Sequence, residues 1–300
     1  MKIFLTGGSG FIGQNIIDHM SRSHEILAIH RKKIKKNRNI HTILGDLEDI
    51  KSYSNDLRKF KPDIVLHFAW SGVDGASRNQ NIQINNIKST INLFRLSEKI
   101  GVKKFIATGS QAEYGPRNIK INERFKMKPT TKYGKAKVDC FETIKKEFKN
   151  SKLIKNFIWL RVFSLYGPHD NPSWFLPYVI LSLYKNQELN LTKCEQYWDY
   201  LYIKDFVKLV NKIMISNQSQ YNAYNVGSGK PVKLKSVINR ISKILNKKGI
   251  IKYGSIPYRE DQVMHMEADI NRVCEEFRWQ PQFRFNKNLE ETIEWFINKY

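Results

Sequence analysis

The sequence predicts an α/β fold: a doubly wound parallel sheet with a smaller mixed α/β region on its C-terminal side. Short apolar runs alternate with segments of helical period through residues 1–165. Glycine, aspartate or proline closes most of the apolar runs. After about Tyr166 the alternation breaks down around Gly167-Pro168 and Asn171-Pro172. Strands that alternate with helices and read as continuous apolar runs are buried on both faces, which is the signature of a parallel sheet.

The elements follow in order. Lys2–Thr6 reads as a buried strand closed by Gly7 and Gly8, and Phe11–Met20 as the helix after it. Glu25–His30 and His41–Leu44 are strands, and Ser52–Phe60 is a helix that ends before Pro62. Asp63–Phe68 is a strand of branched residues, and Ile84, Ile87, Ile91 and Phe94 recur at helical spacing. Lys104–Thr108 is a strand, Thr131–Lys149 a long amphipathic helix, and Phe157–Val162 the next strand. Residues 166–300 are expected to form mainly a substrate-binding region, with segments around 196–230 returning to the first domain.

Composition bounds the function. The chain has 300 residues, 41% of them hydrophobic, which is enough for a sizeable core. With 51 Lys and Arg against 28 Asp and Glu, its formal net charge is +23. Most of this charge lies on what read as ordinary helix surfaces, and no nucleic-acid-binding signature accompanies it, so it is expected to steer small anions. No nucleic-acid partner is expected. No apolar run approaches the roughly eighteen residues of a membrane span, and Met1–Leu5 is too short for a signal core. Cys140, Cys194 and Cys274 are scattered, with no spacing suited to a disulfide framework or a metal site. The expectation is a cytoplasmic, metal-free protein.

Gly7, Gly10 and Gly13 form G-x-x-G-x-x-G between a predicted strand and a predicted helix. Such a turn lets a pyrophosphate approach the backbone, and the helix N-terminus offers unpaired N–H groups. Residues 1–165 therefore read as a nicotinamide-dinucleotide-binding domain. Where the second strand ends, a carboxylate would hold a ribose 2′-hydroxyl, whereas Arg suits a 2′-phosphate. The sequence there is Ile29-His30-Arg31-Lys32-Lys33. Arg31 and Lys32 favour NADP(H), with NAD(H) the alternative.

Tyr133 and Lys137 stand at i and i+4, on one helical face. A phenol with a pKa near 10 needs a cation beside it to exchange protons at neutral pH, and Lys137 is the cation this spacing supplies. Ser110, after the strand Lys104–Thr108, is placed to hold a carbonyl oxygen beside Tyr133.

With these residues in view, the chain resembles the extended short-chain dehydrogenase/reductases, which include nucleotide-sugar epimerases, dehydratases and reductases. The resemblance spans nearly the whole length and implies a Rossmann-type sheet. It rests on Thr6-Gly7-Gly8-Ser9-Gly10-Phe11-Ile12-Gly13, on Gly45-Asp46-Leu47, on His67-Phe68-Ala69-Trp70 and on Ser110 with Tyr133-x3-Lys137. It extends through Leu160 to Pro168, Trp198 to Asp205, Tyr224 to Gly229, Ala268-Asp269-Ile270, Trp279 and Pro281. The resemblance implies that Ser110, Tyr133 and Lys137 are catalytic. It implies cofactor contacts from Gly7, Gly10, Phe11, Ile12, Gly13, Asp46, Leu47, Ala69 and Lys137. Substrate contacts fall to Ser110, Ser164, Asn225 and Arg259, the last toward a diphosphate. A homodimer through the helices around Ile84–Phe94 and Thr131–Lys149 is also implied.

Departures from the pattern narrow the reaction. The 4,6-dehydratases carry an Asp–Glu pair where this chain has Gln111 and Ala112. The epimerase–reductases of fucose-type sugars use a Cys and a His where it has Ala112 and Trp174. Ala112 can move no proton, which disfavours both reactions. Two remain: NADPH-dependent reduction of a 4-keto sugar nucleotide, and C4 epimerisation with retained NAD; below them stands a non-catalytic NADP-binding or sensor protein. Ser164 in place of the usual Asn, and Trp198 in place of Arg, leave the sugar open.

Overall fold

The computed structural model describes residues 1–31, 39–217, 219–247, 251–260, 262–282 and 284–300. Its first elements are β1 (Lys2–Thr6), α1 (Phe11–Met20), β2 (Glu25–His30), β3 (Ile40–Leu44), α2 (Lys51–Phe60), β4 (Ile64–His67), α3 (Ile82–Ile100) and β5 (Lys104–Ser110). β6 (Lys120–Ile121), α4 (Lys132–Phe148) and β7 (Asn156–Val162) follow. The strands β1, β2, β3, β4, β5 and β7 were all expected, with ends that differ by a residue or two. Two 3-10 turns, Gly75–Asn79 and Gln111–Glu113, interrupt this part of the chain.

These strands form one parallel sheet, closed at one edge by β12 (Ala223–Val226), in the order β12-β7-β5-β4-β1-β2-β3. Alternate residues face opposite sides. Ile3, Leu5, Ile26, Ala28, Ile64, Leu66, Ile106 and Ile158 join one core with Ile16 and Ile17 of α1. Phe4, Leu27, Ile29, Val65, Phe105, Ala107 and Phe157 join the other core. That second core takes Tyr53 and Leu57 from α2, Leu93 and Phe94 from α3, and Phe141 and Ile144 from α4. A sheet buried on both faces explains the uninterrupted apolar runs. Strand order reverses between β1 and β4, and a crevice opens there at the C-terminal ends of the strands.

The remaining elements are β8 (Ser164–Tyr166), α5 (Phe175–Tyr184), β9 (Leu189–Leu191), β10 (Tyr197–Trp198), β11 (Tyr200–Tyr202), α6 (Ile203–Ile215), β13 (Val232–Lys233), α7 (Leu234–Ile244), β14 (Ile251–Tyr253), β15 (Glu267–Ala268), α8 (Asn271–Phe277) and α9 (Phe285–Lys299). The strands here pair two by two: β10 with β13, β11 with β8, β14 with β9, and β15 with β6. The helix α6 packs beside α1. Lys104 Nζ on β5 donates to the carbonyls of Ile213, Met214 and Ser216, tying the end of α6 to the sheet. Among the described residues, no helix is long and apolar enough to cross a membrane.

Candidate active site

Two cavities open at the crevice and share Gly7, Gly10, Phe68 and Trp70 in their walls. The smaller, of about 210 Å³, reaches the ends of β2 and β3, and Arg31, Asp46, Leu47 and Ala69 are among its walls. The larger, of about 770 Å³, lies between the sheet and the region after Tyr166. Ser110, Tyr133 and Lys137 line one side of it, and Ser164, Asp170, Trp174, Trp198 and Tyr200 the other.

The glycine turn is shaped for close approach. Gly7 has φ +76°, and a Cβ there would come within 2.8 Å of Ala69 N. A Cβ on Gly13 would lie 2.1 Å from the Gly7 carbonyl oxygen. Both positions therefore exclude a side chain, and the free N–H groups at the start of α1 face the crevice. Thr6 Oγ1 accepts from Ala69 N at 3.2 Å and bonds His67 Nδ1 at 2.8 Å, while His67 Nε2 meets Thr90 Oγ1 at 2.9 Å. Burial pushes the His67 imidazole down to about 3, with Lys137 adding to the effect, so His67 is a neutral, packed residue.

A dinucleotide fits these walls. Without side chains at Gly7 and Gly13 the turn packs on its own backbone, and Gly7 and Gly10 remain in the walls of both cavities. At the end of β2, His30 borders the smaller cavity, and both its buried ring nitrogens lack a partner among the described residues. Arg31 is exposed on its rim. Lys32, predicted beside it, lies outside the described residues, as does the rest of the basic run through Arg38. Two carboxylates in the same wall, Asp46 and Glu48, follow β3, and the sequence of residues 31–38 contains no acidic residue.

Ser110 ends β5 and caps the turn Gln111–Glu113: its Oγ accepts from Ala112 N at 3.2 Å. Glu113 completes a capping box by accepting from Ser110 N at 2.8 Å. The Glu113 carboxylate is fully buried and also accepts from Trp159 Nε1 (2.9 Å) and Arg161 Nε (2.7 Å). Arg161 Nη1 donates to Tyr114 OH at 3.1 Å, and Tyr114 OH donates to Asn225 Oδ1 at 2.6 Å. The main chain of Ser110 is thus anchored to a closed polar network behind the site.

Tyr133 sits in the first turn of α4, which Thr131 caps by accepting from Gly134 N at 3.1 Å. Burial pushes its phenol up, opposed by a hydrogen bond to the Ser110 side chain and by the charge of Arg78. Lys137 is buried, and its Nζ donates to Thr108 O at 2.6 Å. That Nζ lies 3.5 Å from the centroid of the Trp70 ring and 5.8 Å from that of Tyr133. Burial lowers the Lys137 ammonium to about 7, so it is a weaker cation than its spacing from Tyr133 implied. Arg78 is the second cation here: its guanidinium lies 4.7 Å from the centroid of the Tyr133 ring. Sequence reasoning passed over Arg78, which falls in an aperiodic stretch. Glu113 did leave a signal, in the capping pattern Ser110-x-x-Glu113.

The expected substrate residues divide. Ser164 lines the large cavity, and its Oγ accepts from Trp198 Nε1 at 3.0 Å. Asn225 does not reach it. Its side chain is fully buried, accepting from Tyr114 and donating to Ile121 O at 2.9 Å. The expectation of a substrate contact is corrected here: β12 turns Asn225 inward to complete the Glu113 network. Arg259 is exposed and stands outside the lining of the large cavity.

Residues 3–227 match the family described as the NAD dependent epimerase/dehydratase family. The chain belongs to that family. Members similar to this family enzyme include a UDP-glucose 4-epimerase of Cyamopsis tetragonoloba, 25% identical over 99% of this chain and 94% of that protein. The CDP-abequose synthase of Salmonella typhimurium is 26% identical over 97% of each chain. Among solved structures, a UDP-N-acetylglucosamine 4-epimerase from Methanobrevibacter ruminantium, in complex with UDP-N-acetylmuramic acid, superposes with a TM-score of 0.88. It is 26% identical, and the match covers 100% of this chain and 99% of that one. The family assigns this enzyme a nicotinamide dinucleotide, in agreement with the glycine cradle.

Proposed function

We propose that the enzyme reduces the 4-keto group of a nucleoside-diphosphate 4-keto-6-deoxy sugar with NADPH, in deoxysugar or surface-polysaccharide biosynthesis. Carrying this reading is the end of β2, where Arg31 borders the smaller cavity and the sequence continues Lys32-Lys33 with no acidic residue. Gly7, Gly10, Phe11, Ile12 and Gly13 would hold the dinucleotide together with Arg31, Asp46, Leu47, Ala69 and Lys137. Bound NADPH supplies a hydride to C4.

The chain's own residues handle the proton and the oxygen. With its phenol pushed up by burial, Tyr133 is protonated at neutral pH and gives that proton to the oxygen on C4. Ser110, bonded to the same phenol, orients that oxygen from its anchored turn. Lys137 fixes the floor of the site through Thr108. Trp174 and Trp198 wall the sugar, Ser164 meets its edge, and Arg259 is the candidate for the diphosphate. Ala112, buried beside the turn, moves no proton, which leaves the neighbouring sugar carbons as they are. We further propose that the enzyme is cytoplasmic and that it forms a homodimer through α3 and α4, a surface on which Ile84 is 52% exposed.

A second reading, C4 epimerisation with retained NAD, is favoured by the similarity to the two 4-epimerases of Cyamopsis tetragonoloba and Methanobrevibacter ruminantium. Purified enzyme mixed with NADPH or NADH and a panel of nucleoside-diphosphate 4-keto-6-deoxyhexoses separates the two. Stoichiometric oxidation of NADPH, with weaker use of NADH, supports the reductase. No net oxidation, with NAD released on denaturation, moves epimerisation to first place.

A further inference from the structure

The wall of the large cavity that carries Trp174 and Trp198 also holds a carboxyl with almost nothing to bind. Asp170 lines the cavity and is 4% exposed. Its Oδ1 accepts from Asn171 N at 2.8 Å, and among the described residues no other hydrogen bond and no ion pair reaches the carboxyl. Buried polar groups in folded chains are paired as a rule, because leaving one dry and unpaired is costly. A carboxyl short of partners at the wall of a cavity of about 770 Å³ has room for one that enters with a ligand.

The loop that presents Asp170 holds it there. Asp170 N donates to Gly167 O at 3.3 Å, closing a turn. His169, inside that turn, takes a left-handed backbone (φ +67°), which is uncommon for a residue with a side chain. Its surroundings fix that conformation: His169 Nε2 meets Asp18 Oδ2 at 2.9 Å, and its ring centroid lies 4.8 Å from that of Trp295 on α9. Asn15 Nδ2 donates to Pro168 O at 2.8 Å. Asn15 and Asp18 belong to α1, so the helix that follows the glycine turn also braces this loop. A strained turn braced from two helices keeps the carboxyl at the cavity wall instead of letting it turn to solvent.

The chemistry selects what the carboxyl meets. Ionised and with no cation beside it, a carboxyl repels a diphosphate, whereas in either protonation state it accepts from a hydroxyl. The hydroxyls of two neighbours in the wall are engaged within it. Ser164 Oγ accepts from Trp198 Nε1 at 3.0 Å, and Ser173 Oγ donates to Asn171 Oδ1 at 2.9 Å. A 4-keto-6-deoxyhexose joined to its diphosphate at C1 keeps hydroxyls only on C2 and C3. We propose that Asp170 is a specificity-determining residue that accepts from one of these two hydroxyls, and so draws the sugar, not the diphosphate, to this part of the wall. The assignment rests on the substrate class proposed above, and not on whether net reduction occurs.

Calorimetric binding of sugar nucleotides to enzyme saturated with NADP⁺ or NAD⁺, neither of which can reduce them, tests this. The probes are the UDP, CDP, dTDP and GDP forms of 4-keto-6-deoxyglucose, then the 2-deoxy and 3-deoxy forms of the tightest, and its free nucleoside diphosphate. In wild type, loss of one of the two hydroxyls should weaken binding about tenfold. Asp170→Ala should weaken the parent sugar by a similar factor and be indifferent to that hydroxyl, while binding the free diphosphate within about twofold of wild type. Asp170→Asn, which keeps an acceptor, should retain most of the discrimination. Asp170→Leu keeps the volume and repeats the comparison if the alanine variant folds poorly. Additive losses from variant and deoxy sugar, or a diphosphate affinity that falls as far as that of the sugar nucleotide, would overturn the proposal and leave the reductase reading standing. Coupling between Asp170 and one hydroxyl, with no net oxidation of NADPH, would uphold Asp170 and overturn the reductase reading. Binding of no sugar nucleotide by wild type would overturn both.

Discussion

The two walls of the large cavity are built in different ways. On the sheet side, Gly7, Gly10, Ser110, Tyr133 and Lys137 are set by parallel strands, a glycine turn and capped helix starts. Positions there are fixed by backbone contacts of ångström tolerance, as at Gly13. On the other side, Ser164, Asp170, Trp174, Trp198 and Tyr200 come from short paired strands and loops, joined by side-chain contacts such as Trp198 to Ser164. The first wall admits almost no change in volume. The second can change its side chains and keep its backbone, which suits a surface that selects among sugars.

Substitutions on the sheet wall should therefore have the largest effects. Tyr133→Phe removes the proton and keeps the ring under Arg78. Turnover should fall by a factor on the order of 10²–10⁴ while NADPH binding by fluorescence stays near wild type. Retained turnover would mean that the proton comes from elsewhere. Glu113→Gln keeps the shape behind Ser110 but leaves Arg161 buried without its counter-charge. A loss of about 3–5 kcal/mol in urea unfolding is expected. Gly13→Ala forces a Cβ against the Gly7 carbonyl, which should cost about 1–3 kcal/mol of stability and weaken dinucleotide binding sharply. Unchanged binding in that variant would show that the turn relaxes, and would blur the contrast between the walls.

The same contrast explains what the sequence revealed. β1, α1 and β2 were legible to the residue because buried parallel strands leave unbroken apolar runs and α1 follows a glycine turn. The helix α5 was not, because its sequence Phe-Leu-Pro-Tyr-Val-Ile-Leu-Ser-Leu-Tyr is apolar on most faces and shows no stripe. Pro177 adds a breaker signal, yet it lies in the first turn, where a proline is tolerated. Asn225 was misplaced because its substrate role came from the resemblance alone, whereas Ala223–Val226 is an edge strand whose Asn faces the core. The Tyr133–Lys137 spacing was visible, but the burial that weakens Lys137 as a cation is a three-dimensional property. Arg78 reaches Tyr133 across a gap in sequence that no periodicity records.

Asp170 tests the substrate wall with the smallest expected effect. Its carboxyl is buried, accepting from Asn171 N at 2.8 Å, and no cation pairs with it among the described residues. Burial pushes it up from 3.8 to about 8. Between those values the folded protein keeps a proton that the unfolded chain has released, so this group makes stability fall as pH rises across that window. Below 3.8 both states are protonated, and the penalty is absent. Asp170→Asn mimics the protonated form and removes the dependence. Melting temperatures of wild type and variant should agree at the acid end and separate toward pH 8, with the variant the more stable. A constant difference across the range would mean that Asp170 is ionised in the folded protein, and a cation or ordered water would have to stand beside it in the cavity. A neutral Asp170 instead gives the cavity that Tyr133 also lines a second protonated group, so the walls would differ in proton affinity as well as in rigidity.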